Sequence, residues 1–267
     1  MPELPEVETE RRRLAERIEG HRIAAARIDD ARLTRPEDPK VAAAVLEGGH
    51  VDAVERRGKY IVVRLADGHV LLVHLRMTGG FRYTPVTHER AVLELDDGTR
   101  IAYRDTRRFG TWQLLEEDEA ARLLGVKNGP EPLGRAFTTA FLAGRLAGRR
   151  APVKAAILDQ RTVAGLGNIY AVEALWHSKI DPRRPAGDLD AGEVAALREG
   201  IRHALRLGIR RQGADLGDGT YAGGRMQDEF RAYGRDGEPC SRCGTPIAKA
   251  QVAGRGTWFC PTCQTVG

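Results

Sequence analysis

The sequence predicts an α+β protein in which a strand-rich first half is followed by a helical second half and a small metal-held appendage. Three observations predict it. Strand-type alternation with turn residues fills the first half, helical periodicity begins near Asn128-Gly129-Pro130, and all four cysteines stand near the C-terminus. The length of 267 residues fits two domains with room for a small third. A hydrophobic fraction of 42% and a charged fraction of 30% exclude collagen-like and broadly disordered chains.

Taken in order, residues 5–19 read as a helix, because Pro5 suits a first turn and Val7, Leu14 and Ile18 form an apolar stripe. Strand chemistry follows at 51–54, 60–65 and 70–75. It continues at 91–95 and 100–103 around Asp96-Asp97-Gly98, a turn that argues for an antiparallel hairpin. Residues 112–115 add a further strand, and the acids of 116–119 start a short helix, where negative charge suits the first turn. Helical patterns then occupy 138–146, 153–160, 169–177 and 189–207. Five glycines within 213–225 read as a mobile loop, and 234–267 holds turn residues and the cysteines. No apolar run is long enough to cross a bilayer. The acidic, proline-bearing N-terminus lacks the basic-then-apolar pattern of a secretory signal, so the expectation is a cytoplasmic protein.

The formal net charge of +5 is unevenly spread. Residues 1–130 carry 22 Lys and Arg against 23 Asp and Glu, whereas residues 131–267 carry 20 against 14. The excess lies wholly in the second half, which favours an anionic partner there. Only six of the basic residues are lysines, so a lysine within a motif carries weight.

The cysteines are spaced Cys240-x2-Cys243-x16-Cys260-x2-Cys263. Two such knuckles supply the four thiolates that tetrahedral zinc prefers, and a site closed by four protein ligands is structural. Two disulfides are the alternative, which a chain without a secretion signal disfavours. A segment of this size cannot bury an adequate core alone, so the metal supplies folding free energy. Between the knuckles, Arg255 is flanked by Gly254 and Gly256, which suggests a hairpin tip projecting the guanidinium.

Pro2-Glu3 has chemical potential of its own. Removal of Met1 exposes a secondary amine that, by analogy with α-amino groups near 7.7–8.0, has a usable neutral fraction at neutral pH. Such an amine forms an iminium with an aldehyde-like carbon, and an adjacent carboxylate handles protons. The bland alternative is that Pro2 and Pro5 merely stiffen a helix start.

From these residues onward the sequence resembles the formamidopyrimidine-DNA glycosylase family, bacterial enzymes of base-excision repair. The resemblance begins with Pro2-Glu3-Leu4-Pro5-Glu6-Val7-Glu8-Thr9 and runs the length of the chain. It continues in Arg57-Gly58-Lys59-Tyr60, His74-Leu75-Arg76-Met77-Thr78-Gly79, Arg107-Arg108-Phe109-Gly110 and Asn128-Gly129-Pro130-Glu131-Pro132-Leu133. Leu158-Asp159-Gln160, Gly165-Leu166-Gly167-Asn168-Ile169-Tyr170 and Tyr233-Gly234-Arg235 complete it. The paralogous endonuclease VIII-like branch typically opens Pro-Glu-Gly-Pro, so Leu4 favours the first branch.

The resemblance implies an N-terminal β-sandwich with flanking helices over 1–130, a helix–two-turn–helix DNA-binding domain over 131–232 and a C-terminal β-hairpin zinc finger over 233–267. It implies one structural zinc ion on Cys240, Cys243, Cys260 and Cys263 and no catalytic metal. Damaged double-stranded DNA is expected in the cleft between the halves of a monomeric, nucleoid-associated protein with no membrane partner. Pro2 is implied as the nucleophile at C1′, Glu3 as general acid and base, Lys59 as a further catalytic residue for β-elimination and Arg255 for δ-elimination. A lysine suits a proton-handling role because it can be deprotonated when desolvated, which arginine cannot. Arg255 therefore reads as electrostatic stabilisation of a phosphate. Met77, Arg107 and Phe109 are implied to fill the void left by the flipped nucleotide, as apolar wedges and a flat cation can. Phosphate contacts are implied for His74, His88, Arg107, Arg149, Lys154, Asn168 and Arg255. Arg150 adjoins Arg149 as an alternative, and Lys154 is also a candidate for the lesion nucleotide.

Three departures stand out. Thr106 occupies a usual proline position, Arg76 a usual glycine position, and the glycine-rich segment 213–225 is shorter than the family's lesion-covering loop. Two other functions compete: an oxidised-pyrimidine glycosylase, and a non-catalytic damaged-DNA or RNA binder. The presence of Pro2, Glu3, Lys59 and Arg255 argues against the second.

Overall fold

The computed structural model describes residues 1–216 and 223–265; the middle of the glycine-rich segment lies outside the described residues. The chain forms two compact units, Met1–Val126 with Ala214–Gly224, and Lys127–Gly213 with Arg225–Gly267.

In the first unit, α1 (Leu4–Ile18) precedes β1 (Ile23–Ile28), α2 (Pro39–Leu46), β2 (Val51–Arg57), β3 (Tyr60–Leu65) and β4 (His69–His74). Then come β5 (Gly79–Arg82), β6 (Glu89–Leu95), β7 (Arg100–Asp105), β8 (Thr111–Glu116) and α3 (Glu117–Lys127). The strands make two antiparallel four-stranded sheets, ordered β1-β6-β7-β5 and β2-β3-β4-β8. Period-two alternation places Ile61, Val63, Leu71 and Val73 in one core with Leu93, Ile101 and Tyr103 of the other sheet and Val7, Leu14 and Ile18 of α1. The intervening Tyr60, Val62, Val70 and Leu72 face Ala120 and Leu124 of α3. The result is a β-sandwich flanked by helices, in which each fully buried Leu or Ile contributes about 1.5–3 kcal/mol. Glu10 of α1 covers the β5 edge by accepting the Phe81 N–H at 3.1 Å, and burial raises its carboxyl above the usual range.

Elements β1, β5 and α2 add to the sequence reading. β1 is alanine-rich and β5 opens on two glycines, so neither shows strand chemistry; α2 is short and built largely of alanine and valine.

The second unit contains α4 (Thr139–Leu146), α5 (Val153–Leu158), α6 (Asn168–Ser178), α7 (Ala191–Arg210), β9 (Ala248–Val252) and β10 (Arg255–Phe259). Helices α6 and α7 cross closely at Gly200, where a Cβ would lie 2.6 Å from the Ala174 carbonyl oxygen. α7 begins with a capping box between Asp190 and Glu193. The β9–β10 hairpin and its knuckles do not stand alone. Cys240, Ile247 and Cys260 share a core with Val172 and Trp176 of α6. Arg242 lies 3.6 Å from the Trp176 ring and donates to its carbonyl, closing the α6 C-terminus with a cation.

Candidate active site and nucleic-acid interface

In the first unit, Pro2 and Glu3 are buried at the start of α1, with Glu3 3% exposed. Pro5 and Glu6 set the first helical turn, and the Glu3 N–H donates to Glu6 Oε2 at 2.8 Å. The other Glu6 oxygen accepts the Ala214 N–H at 2.8 Å, so one carboxylate ties the proposed reactive terminus to the start of the glycine-rich segment.

Lys59 is 7% exposed. It sits in the two-residue turn closing β2 and β3 at the Arg57–Tyr60 pair, where Gly58 has φ 57°, as a type II′ turn requires. Arg56 pins this turn to α1: its guanidinium donates to the Gly58 carbonyl at 2.9 Å and to Glu8 Oε2 at 3.2 Å. Burial opposes ionisation of Glu8, but hydrogen bonds from Arg11 and Arg12 and the charges of Arg11 and Arg56 outweigh it and hold the carboxyl below its usual range.

His74 ends β4, its ring perpendicular to that of Tyr60 with the ring centres 4.8 Å apart. Its Nδ1 accepts the Arg76 N–H at 3.0 Å, which leaves Nε2 as the donor nitrogen of the neutral ring. Arg76 has φ 52°, a left-handed backbone where glycine is unstrained, so the departure at this position carries a local conformational cost. Met77, next in the loop, is half-buried.

Arg107 and Phe109 lie on the β7–β8 loop. Phe109 is 52% exposed and the Arg107 guanidinium stacks 4.9 Å from its ring centre, so this aromatic is outside the core. Buried Asp105 holds both loops. Its Oδ1 accepts from the Thr78 hydroxyl and, at 3.2 Å, from Arg107 N–H; its Oδ2 accepts the Gly110 N–H at 2.7 Å. Thr78 in turn accepts Arg107 N–H at 3.0 Å. The Tyr103 hydroxyl lies between the backbones of Gly79 and Gly110, where a Cβ on either would come within 2.1 Å. Arg108, itself exposed, pairs with buried Asp30 at 2.9 Å, and that hydrogen bond holds the Asp30 carboxyl below its usual range. His88 is exposed on the β5–β6 loop at φ 64°. Sequence reasoning did not single out Asp105 or Thr78, since their importance lies in contacts made after folding.

In the second unit, Gln160 organises the approach to α6. Its amide donates to the Leu158 and Leu166 carbonyls and accepts Gly165 N–H, each at 2.9 Å. Gly129 fits where a Cβ would meet the Arg161 carbonyl oxygen at 2.2 Å. Asn168 opens α6, and the positive end of the helix is there. Its side-chain amide donates to the Gly256 carbonyl at 3.1 Å. Lys154, on α5, is 0% exposed; its ammonium donates to the same carbonyl at 3.1 Å and to the Thr257 hydroxyl at 2.5 Å. Arg255 is exposed beside a two-residue turn in which Ala253 and Gly254 both have positive φ, the type I′ pattern. Arg149 is half-buried and reaches Asp159 at 3.8 Å, while Arg150 is exposed and makes no ion pair with the described residues.

The four cysteine Sγ atoms lie within 4.8 Å of one another, none in a disulfide. Tetrahedral Zn–S bonds of about 2.3 Å require such mutual spacing. The Thr245 and Thr262 hydroxyls join the two knuckles at 2.9 Å, and Cys263 N–H donates to Cys260 Sγ at 3.4 Å. The donor set fits structural zinc. No helix among the described residues is long and apolar enough to cross a membrane.

Comparison with known proteins matches three domain families in chain order. Residues 1–112 match the formamidopyrimidine-DNA glycosylase N-terminal domain, 128–218 its H2TH domain, and 237–266 a zinc finger found in FPG and IleRS. A formamidopyrimidine-DNA glycosylase of Symbiobacterium thermophilum is 47% identical, with all of this chain and 90% of the relative covered. The MutM (Fpg) structure from Thermus thermophilus superposes with a TM-score of 0.90 at 40% identity, both chains covered in full. A variant Lactococcus lactis FPG in complex with Fapy-dG containing DNA gives 0.92 at 36% identity, covering 99% of this chain and 100% of that one.

Proposed function

The chain belongs to the formamidopyrimidine-DNA glycosylase family, and from that premise we propose a bifunctional enzyme that excises oxidised purines from duplex DNA and then cleaves the strand as an AP lyase. It is a DNA glycosylase of base-excision repair that acts on damaged DNA and carries a structural zinc finger. The observation that carries the finer reading is the buried Pro2-Glu3 pair at the head of α1, with the Lys59 turn pinned to that helix through Glu8 and Arg56.

With Met1 removed, the Pro2 nitrogen attacks C1′ of the flipped nucleotide, and the base leaves with the electrons of the glycosidic bond. Glu3 delivers a proton during sugar ring opening and takes one back later. The resulting iminium acidifies the C2′ proton. Its loss, assisted by Lys59, expels the 3′ phosphate in β-elimination. Arg255 stabilises the second phosphate as it departs in δ-elimination. Met77 and Phe109 fill the vacated space, and Arg107 donates hydrogen bonds to the orphaned base, favouring cytosine. His74, His88, Arg149 and Asn168 take phosphate contacts, whereas Lys154, fully buried on the Gly256 carbonyl and the Thr257 hydroxyl, acts through the finger that it anchors. Three functional modules follow, 1–130, 131–232 and 233–267, acting as a monomer. The purine assignment rests on Leu4 and the opening motif.

A panel of duplexes tests it. Cleavage of 8-oxoguanine:cytosine and formamidopyrimidine duplexes well above thymine glycol is expected. The reverse order assigns the chain to oxidised pyrimidines.

A further inference from the structure

Along β10, residues 255, 257 and 259 share one face by the period of a strand. Thr257 and Phe259 on that face are buried, and Arg255 continues the same row at the exposed end of the hairpin. The Thr257 hydroxyl, fully buried, donates to the Arg255 carbonyl at 2.9 Å while accepting from the Lys154 ammonium. One carbonyl later, Gly256 accepts from both Lys154 and Asn168 at 3.1 Å. Three elements thus converge on two successive peptide units: α5 through Lys154, the head of α6 through Asn168, and the hairpin itself.

We propose that Thr257 is a positioning residue for Arg255. Its hydroxyl locks the Arg255 carbonyl in place and accepts from the buried Lys154 ammonium, so that the guanidinium projects from one fixed turn geometry at the head of α6. The alternative is that Thr257 fills space only. Its size argues for neither, but the geometry does: the oxygen both donates and accepts, and Val in the same volume can do neither. Removing the hydroxyl takes an acceptor from a buried ammonium, which is costly, and breaks two of the bonds that hold the hairpin tip. The role in catalysis rests on the lyase reading above.

The test compares Thr257→Val and Thr257→Ser with the wild type on abasic duplex DNA, reading the ratio of δ- to β-elimination product. Amide exchange of residues 252–256 is measured on the same zinc-loaded proteins. Loss of one such hydrogen bond corresponds to about a fivefold effect. Thr257→Val is expected to lower the δ:β ratio by about that factor and to speed exchange at the tip, with Thr257→Ser close to wild type in both. Unchanged ratio and unchanged exchange in Thr257→Val overturn the proposal, as does a Ser variant as impaired as Val. If the wild type itself cleaves no abasic DNA, the lyase reading fails, and the exchange comparison still decides whether the hydroxyl fixes the tip.

Discussion

The two units fix several of their key side chains by different means. In the first, carboxylates do the holding: Glu6 spans Glu3 and Ala214, Glu8 fixes Arg56 and through it the Lys59 turn, and Asp105 gathers the loops of Met77 and Phe109. In the second, backbone carbonyls and a hydroxyl hold the cations Lys154 and Arg242, and Asn168 beside them. Carboxylates act in the second unit as well, since Arg149 reaches Asp159 at 3.8 Å, and any DNA affinity built on its cations falls steeply with salt.

Zinc removal separates the units most strongly. Structural zinc supplies on the order of 10 kcal/mol or more to finger folding, so chelation should collapse the knuckles and weaken α6 with them. Near-ultraviolet signals of Trp176 and Trp258 should be lost while those of Tyr103 and Trp112, packed 5.3 Å apart in the sandwich, persist. Simultaneous loss of both sets would break the two-unit comparison. Next in size, Glu3→Gln should cut base excision by about 10²–10⁴-fold with little change in Kd for undamaged duplex. An equal loss of binding would mean that the first unit grips as much as it reacts.

Asp105→Asn tests the carboxylate hubs. An amide replaces one acceptor oxygen by a donor facing N–H groups, which should cost about 1–3 kcal/mol. The sandwich should melt earlier, and excision opposite cytosine should suffer more than trapping on an abasic site. A variant that melts and discriminates like wild type would show that Asp105 does not hold the two loops.

The smallest effect is one of pH. Burial, followed by the charges of His203, Arg242 and Arg231, pushes His177 down to about 4 from 6.5. Its unfolded form therefore binds protons that the folded form refuses between these values, and stability of the second unit falls as pH drops through that window. Asp30, held below its usual range by Arg108, contributes stability that is lost only at lower pH, as it protonates. Denaturation from pH 7 to 4 should show the second unit weakening first, and His177→Asn should flatten that slope. A parallel slope in the variant would place the sensitivity in other groups.

Much of this was legible in the sequence because it is local. Cysteine knuckles, the hairpin turn beside Arg255, the helix start at Pro5 and the order of motifs are all written within a few residues. Glu8–Arg56, Thr78–Asp105 and Glu6–Ala214 were not, since each joins residues 27 to 208 positions apart. Phe109 shows the other side of this. Apolar character alone suggests burial, and only the folded loop, anchored at Asp105 and Asp30, leaves the ring exposed. Strands β1 and β5 are silent in the sequence because alanine and glycine carry no strand preference and take their form from β6 and β7.

The central claim is covalent chemistry at Pro2. Protein lacking Met1 should be incubated with 8-oxoguanine:cytosine duplex and borohydride, and the adduct located by mass spectrometry of its peptides. Reduction of the iminium should leave a stable link on the N-terminal Pro2 peptide, and protein retaining Met1 should form none. A link at Lys59 or another lysine, or no link from correctly processed protein that binds the duplex, would contradict the account.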